Sequence, residues 1–209
     1  MLDLSNQEFL STEEIKQRAS SIFSTTAAPT VSDKFTHIPT FKVIEDMAKL
    51  GWNVVDAKQV KARKEETRGF QKHLVVFRNN DVVINGADGD TVFPQILLTN
   101  SNDGKNAFTF TAGLFRMVCE NGLVISTEQF NDVKMRHMGY TFEDLQAQIK
   151  EMVELLPLTV ESMNKMKEIR KNLGLSQVDL GELLEMHQGR ISDIEKGKRG
   201  ITKIVSSFL

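Results

Sequence analysis

The strongest constraint in this chain is a pair of short helical patterns near its end, separated by one tight break. They lie in the stretch GLSQVDLGELLEMHQGRISDIEKGKRG, from Gly174 to Gly200. Ser176 and Asp179 have the spacing of a capping box, in which each side chain bonds the backbone N–H of the other residue at a helix start. The apolar positions that follow have helical spacing: Leu180, Leu183 and Leu184.

The second helical pattern places Ile191 and Ile194 three residues apart on one side. Gly197 is a typical stop for such a helix. A further helix is predicted before the pair, from Met163 to Leu173. The sequence therefore predicts a small all-α domain over residues 161–209, which follows a larger domain of mixed strands and helices.

Several residues of this region match the lambda-repressor/Cro-like helix-turn-helix at the same spacing: Leu175, Ser176, Gln177, Leu180, Ile191, Ile194, Glu195, Gly197 and Arg199. The region resembles that family, and the resemblance implies that Arg170 of the preceding helix pairs with Glu195. Three positions depart from the family. Gly181 stands where alanine is usual, and Glu185 replaces the turn glycine, so strain is expected there if the tight turn is kept. His187 replaces a better N-cap residue.

The resemblance implies that the second helix enters the major groove of DNA. Gln188, Arg190 and Asp193 would then face base edges, with Arg190 suited to guanine and Gln188 to adenine. Phosphate contacts are expected from four further side chains: Gln177, Lys196, Lys198 and Arg199. Because one such module reads few base pairs, specific recognition of a DNA site predicts a homo-oligomer. The contact between its subunits is then expected in the large domain. The alternative is two packing helices without a role on DNA.

A second resemblance covers about residues 31–156. Four segments carry it, in this order: VSDKFTHIPTFKVIEDMAKLGW, VKARKEETRGFQKHLVVFR, LTNSNDGKNAFTFTAGLFRMVCENGLVI and VKMRHMG. They resemble the phage/plasmid-like proteins that are grouped as a domain of unknown function. The resemblance implies an origin on a mobile element and supplies no reaction. The family often has histidine where this chain has Asn102, which argues against histidine-based chemistry at that turn.

Outside the C-terminal region, the segments predict an α+β fold. Helical spacing marks Phe41–Leu50 and Thr141–Leu156, and Pro157 is expected to end or bend the second helix. Between them, apolar runs and turn-rich connections predict several strands, so an α+β domain is assigned to residues 31–160. Residues 1–30 are rich in Ser and Thr, and we expect a mobile arm or a segment that folds on a partner.

The segment from Lys58 to Arg78 is strongly basic, with seven Lys or Arg against two acids. Side chains alternate faces along a strand, so part of this charge would share one face. Cationic grooves with aromatic side chains are typical of single-strand nucleic-acid binding. The predicted groove residues are Lys58, Lys61, Arg63, Arg68, Phe70 and Lys72. The alternative is a solvated surface with Phe70 in the core.

Composition excludes several classes of site. The single cysteine, Cys119, excludes a disulfide framework and a cysteine-built zinc site. His37, His73 and His137 are isolated in the sequence, so no metal site is expected. The sequence also has no glycine-rich loop of the kind that binds phosphate groups, so no cofactor is expected. Cys119, His137 and Asp103 are the residue types of a nucleophile, a base and an orienter. Nothing in the sequence brings them together, so no enzyme is predicted.

The formal net charge of −2 means that any contact with nucleic acid must come from local patches. No segment has the length and apolarity of a membrane span, and no leader opens the chain, so we expect a cytoplasmic protein of a bacterial host. The leading functional prediction is duplex DNA binding, with a regulatory or DNA-handling role on the mobile element. Single-strand binding or annealing by the large domain, and inhibition of a host defence system by protein contact, are the alternatives.

Overall fold

The computed structural model describes residues 8–62, 64–85, 91–117, 124–135, 137 and 142–196. Five α-helices lie in this part of the chain: α1 Thr12–Arg18, α2 Thr40–Lys49, α3 Phe142–Asn172, α4 Gln177–Leu183 and α5 Gln188–Glu195. The strands are β1 Asn53–Gln59, β2 His73–Arg78, β3 Ile84–Asn85, β4 Thr91–Val92, β5 Gln95–Asn100, β6 Phe108–Met117 and β7 Val124–Met135. The mixed helix and strand content predicted from the sequence is confirmed.

Five strands form one antiparallel sheet in the order β1-β2-β5-β6-β7, while β3 pairs with β4 in a separate ribbon. In the middle of β2, Val75 pairs with Ala57 on one side and Leu98 on the other. Consecutive side chains of a strand point to opposite faces. Val75 and Phe77 therefore lie in the main core, while Val76 joins a small apolar cluster on the opposite face.

The main core lies between one face of this sheet and the helices α2 and α3. Helix α2 buries Val43 and Met47, which lie four residues apart on one side of the helix. The same apolar cluster includes Leu180 of α4 together with Ile191 and Ile194 of α5. Helix α3 contributes along its length: Leu145, Ile149, Met152, Val153, Leu156, Val160, Met163 and Met166. The apolar core is therefore continuous from the sheet to the C-terminal helices.

Helix α3 passes through Pro157, where the sequence predicts an end or a bend. The two helices predicted around this proline are one helix, and the predicted domain boundary after residue 160 lies inside it. A proline in a helix interior costs about 3 kcal/mol or more. Burying one large apolar side chain contributes about 1.5–3 kcal/mol, and four buried ones flank the proline: Val153, Leu156, Val160 and Met163. Burial therefore outweighs the cost of the proline.

The N-terminal segment packs on the sheet from residue 8 onwards, which differs from the mobile arm that composition predicts. Ile15, Ala19 and Ile22 are buried, and the backbone N–H of Leu10 donates to the Val54 carbonyl oxygen over 2.8 Å. Composition is misleading here because a few apolar residues at helical spacing are enough to anchor a short segment. Two serines of this segment, Ser20 and Ser21, bond to the strands β1 and β2.

A buried polar network joins this segment to the sheet. The His73 ring lies between two hydroxyls, with Ser21 Oγ 3.1 Å from Nδ1 and Thr40 Oγ1 2.9 Å from Nε2. Asn100 Nδ2 donates to Thr40 Oγ1 over 2.9 Å and to the Ile38 carbonyl oxygen over 3.0 Å. Burial lowers the pKa of His73 to about 4, because a charged imidazolium would lose its hydration.

We predict that mild acid destabilises the fold through His73. The unfolded chain takes up a proton near the ordinary histidine pKa of 6.5, whereas folded His73 stays neutral down to about pH 4. Stability from this residue is therefore complete above pH 6.5 and is lost as the pH falls towards 4. Within that window its contribution to the free energy of unfolding should fall by about 1.4 kcal/mol per pH unit.

Urea unfolding across this pH window measures the effect. The variant His73→Gln should show a shallower dependence on pH than the parent chain. Burial also lowers the pKa of His37 and His137, so a slope of the same sign should remain in the variant. An identical slope in the two proteins would contradict the assignment to His73.

Candidate nucleic-acid interface

Helices α4 and α5 form the pair that the sequence predicts, and both starts are capped. Ser176 Oγ accepts from the Asp179 backbone N–H at 3.1 Å, and Asp179 Oδ2 accepts from the Ser176 N–H at 2.7 Å. Helix α5 follows His187, whose Nδ1 accepts from the Gly189 backbone N–H at 3.1 Å. The histidine therefore caps the helix in place of the residue types that more often do so.

The break between these helices is a tight turn. Glu185 has a φ of 53°, in the left-handed region, which costs a non-glycine residue about 1 kcal/mol or more. Gly181 faces this turn, and a Cβ there would lie 2.6 Å from the Met186 carbonyl oxygen. Alanine would therefore displace the turn. Gly181 and the strained Glu185 therefore both belong to the same tight turn.

The ion pair between Arg170 and Glu195 joins α3 to the end of α5. Arg170 Nε lies 2.5 Å from Glu195 Oε1, and its Nη2 lies 2.9 Å from Oε2. Gln177 Nε2 donates to the same Oε2 over 2.9 Å, and Arg170 Nη1 donates to the Leu175 carbonyl oxygen over 2.8 Å. A two-bond pair of this kind adds geometric specificity to its strength. It therefore holds α5 against both α3 and α4.

The surroundings of this pair keep both groups charged. Burial by itself would raise the pKa of Glu195, but the hydrogen bonds from Arg170 and Gln177 outweigh it and lower that pKa. The bond to Glu195 in turn raises the pKa of Arg170. Because Glu195 is only 4% exposed, removal of its partner would leave a buried charge without compensation.

The three predicted base-contacting residues differ in exposure. Gln188 is exposed, whereas Arg190 and Asp193 are half-buried. Among the described residues, Arg190 Nε is buried and has no hydrogen-bond partner. Glu182 and Glu185 line a depression of about 440 Å³ that reaches Gln188. These carboxylates would oppose a polyanion that approaches the start of α5.

The four predicted phosphate-contacting residues also have different surroundings. Lys196 is exposed at the end of α5. Gln177 uses its amide N–H on the Glu195 carboxylate, so the structure places it inside the support of α5. Lys198 and Arg199 lie outside the described residues. The described part of this surface is therefore well supported but has little positive charge.

A second candidate surface is a groove of about 560 Å³ between the β1–β2 connection and the loop after β5. Lys61 and Lys72 come from the connection and Lys105 from the loop, and all three are exposed. The Val60 backbone N–H donates to the Lys72 carbonyl oxygen over 3.0 Å, which keeps the two lysine-bearing segments side by side. Among the described lining residues Asp103 is the one carboxylate, 3.4 Å from the Lys105 ammonium. The groove is therefore net positive. We call it the lysine groove.

The other predicted groove residues are not brought to the lysine groove. Lys58 and Arg68 each form an ion pair with a nearby carboxylate, at 3.8 and 3.0 Å. Phe70 is half-buried and does not line the groove, and Arg63 lies outside the described residues. Lys105 was missed because it is far along the chain, and only the pairing of β2 with β5 brings it close.

A depression of about 510 Å³ adjoins the lysine groove, with which it shares three lining residues: Asp103, Lys105 and Asn106. The rings of Phe35 and His137 stack in its wall, with centroids 4.5 Å apart. His137 Nδ1 lies 3.0 Å from the Thr36 carbonyl oxygen, and burial lowers the pKa of this histidine. Asp103 and His137 thus lie in one depression, while Cys119 is outside the described residues. We call it the His137 depression.

No helix in the described part of the chain is long and apolar enough to cross a membrane. Within the same described ranges, no group of three or more His, Cys, Asp or Glu side chains is placed to hold a metal ion.

Comparison with known protein sequences identifies the family of this chain. Residues 28–200 match the family model described as Domain of unknown function (DUF932). The chain belongs to this family. Two curated relatives are UPF0380 protein YfjQ and UPF0380 protein YafZ of Escherichia coli (strain K12), 32% and 33% identical over 130 residues. Each alignment covers 62% of this chain and 45% of the relative, so the chain spans less than half the length of these relatives. No solved structure shows a significant match.

The DUF932 match bears on both resemblances. The domain of unknown function predicted over residues 31–156 is confirmed, and the match extends to residue 200. Helices α3, α4 and α5 therefore lie within the DUF932 region, whereas the sequence predicts that α4 and α5 belong to a separate domain after it. A distinct helix-turn-helix domain stays a prediction.

We predict that Arg170→Ala destabilises the fold by about 3–5 kcal/mol, because Glu195 keeps its charge in a buried position with Gln177 as its remaining side-chain donor. Glu195→Ala should cost less, since the Arg170 side chain is more exposed (13% against 3%) and keeps its bond to the Leu175 carbonyl oxygen. The double variant should lose less than the sum of the single losses. Urea unfolding of the four proteins measures this.

The matched control is Arg18→Ala, which removes an ion pair with Asp56 that is 3.1 Å long but has an arginine side chain 47% exposed. Its cost should be about 0–1 kcal/mol. Strict additivity of the Arg170 and Glu195 losses would show that the two side chains do not stabilise the fold as a pair.

Proposed function

We propose that this DUF932 chain binds duplex DNA through α5, as a helix-turn-helix does, with a regulatory or DNA-handling role on a mobile element. The observation that carries the proposal is the two-bond pair between Arg170 and Glu195. A helix that reads base edges has to be held by its surroundings, since small displacements of its side chains lose the contacts. The pair and Gln177 provide that support from two other helices.

The turn before α5 supports the same proposal. Glu185 adopts the left-handed conformation that this turn requires, although the residue is not glycine. Gly181 leaves room for the Met186 carbonyl oxygen, where a Cβ would be only 2.6 Å away. Two packing helices without a role on DNA have no need to keep a strained turn of this kind, which favours a function that depends on the relative position of α4 and α5.

The charges around α5 indicate that one protomer binds weakly. Lys196 is exposed, but Glu182 and Glu185 lie on the same side as Gln188. Affinity for duplex DNA depends largely on the number of phosphates that cations neutralise. We therefore propose a homo-oligomer that presents two or more α5 helices to one DNA site.

We predict that Arg190→Ala weakens binding to the preferred duplex by about 1–3 kcal/mol, or about 5- to 150-fold, with little change on random duplex. The reason is that a guanidinium that reads a base contributes only where that base is present. Selection of a preferred duplex from a random library, followed by fluorescence anisotropy, measures both affinities. The control Arg68→Ala removes an exposed arginine of the β1–β2 connection and should change neither. Equal losses on both duplexes would assign Arg190 to phosphate contact.

A second candidate function is the binding of single-stranded nucleic acid in the lysine groove. The observation that favours it is the convergence of Lys61, Lys72 and Lys105 around one groove. A positively charged groove that follows the backbone is typical of single-strand binding without sequence preference. Inhibition of a host defence protein by direct contact stays a prediction.

We predict that the double variant Lys61→Ala, Lys72→Ala weakens single-strand binding and lowers its dependence on salt. Each phosphate contact on a single strand contributes about 0.7 to the slope of log affinity against log salt, so two contacts should lower the slope by about 1.4. Titrations at several salt concentrations measure this. The control Lys16→Ala, Lys150→Ala removes the same charge from exposed helix positions. Equal slopes in the two double variants would exclude the lysine groove.

A further inference from the structure

None of the described residues that line the His137 depression belongs to α5. Its volume of about 510 Å³ lies within the roughly 300–1,000 Å³ of pockets that hold small organic groups. Its lining combines apolar and hydrogen-bonding side chains: Val31, Phe35, Ala107, Thr30, Ser32 and Asn106. A pocket with this mixture suits a flat group of moderate polarity better than a purely apolar or a purely ionic one.

The charge changes along the path from the lysine groove into the depression. Lys61 and Lys72 line only the groove, whereas Asp103 lines both. The Asp103 carboxylate accepts from the Lys105 backbone N–H over 3.1 Å and lies 3.4 Å from its ammonium, so it stays within the wall that separates the two spaces. A phosphate is therefore favoured beside Lys61 and Lys72, and a neutral group is favoured deeper in the depression.

The wall of the depression is held by several packing contacts. Phe35 and His137 stack with an interplanar angle of 17°, and His137 is tied to the Thr36 carbonyl oxygen. Gly104 has a φ of 72°, and a Cβ on it would come within 3.3 Å of Val31, so this glycine lets the loop approach the wall closely. Loops that are packed in this way form a pre-formed pocket.

We infer that the His137 depression accepts one nucleobase of a single-stranded nucleic acid whose phosphates lie along Lys61 and Lys72. This inference rests on the single-strand binding proposed for the lysine groove. It adds that the group recognised beside the groove is a nucleobase. A base in a duplex is paired and stacked, so it cannot enter a side pocket without leaving the helix. The depression therefore selects an unpaired strand, while the lysines alone would bind any polyanion.

Full-length protein is titrated with a labelled single strand of about 20 nucleotides and with an abasic strand of the same length and charge. The parent chain should bind the base-bearing strand at least about fivefold more tightly, since burial or stacking of one base contributes about 1–3 kcal/mol. The variant Ser32→Met places a long side chain without a ring at an exposed position of the pocket lining. It should lose this preference and keep its affinity for the abasic strand.

Thr25→Met is the matched control, because Thr25 is exposed, nearby in sequence and outside the lining. Thr30→Met, at a second exposed lining position, repeats the test if Ser32→Met lowers the thermal stability. A preference for bases that survives in both lining variants would overturn the inference, as would equal affinity of the parent chain for the two strands. The lysine double variant separates the two ideas. If the lysine groove does not bind the strand, this variant should keep the parent affinity for both strands.

Discussion

Burial of one long face of α3 is the constraint on which the rest of the molecule depends. Its apolar residues share one core with the sheet and with Leu180 of α4, and the helix contacts α5 directly. The same helix carries Arg170 near its end, so the packing that fixes α3 on the sheet also fixes the ion pair that supports α5. The break that Pro157 would normally introduce would separate these two roles. The buried residues around it prevent that separation.

The position of the lysine groove follows from a different interaction, the polar network around His73. Thr40 of α2 and Ser21 of the N-terminal segment both contact this ring, and Asn100 at the end of β5 reaches Thr40. These contacts hold the start of β2, which follows Lys72, beside the end of β5, which precedes the loop that carries Lys105. Unpaired polar groups would be costly at such depth, so the network is specific as well as stabilising. The exposed groove is thus supported by a buried network of polar side chains that are hydrogen-bonded to one another.

The features that could be predicted from the sequence are those encoded over short distances. The capping box at Ser176 needs only a few neighbouring residues. The turn at Glu185 and the pairing of Arg170 with Glu195 were implied by the resemblance to the helix-turn-helix family, not by a local pattern. The convergence of Lys105 with the lysines of the β1–β2 connection depends on strand order, which no local pattern reveals. The N-terminal segment was missed for a related reason, since its anchoring residues have meaning only beside the sheet.

Each of the two candidate surfaces lacks a feature that the other has, and this difference favours a separate role for each surface. Helix α5 is held by buried, directional contacts, but exposed carboxylates lie beside its start. The lysine groove has positive charge, but none of its described lining residues belongs to an α-helix that could enter a major groove. A chain with a formal net charge of −2 has no general attraction for a polyanion, so phosphate affinity has to come from such local patches. If both proposals hold, the groove supplies attraction to an unpaired strand and α5 supplies discrimination on a duplex. A protein that carried both would act where the two forms of DNA meet.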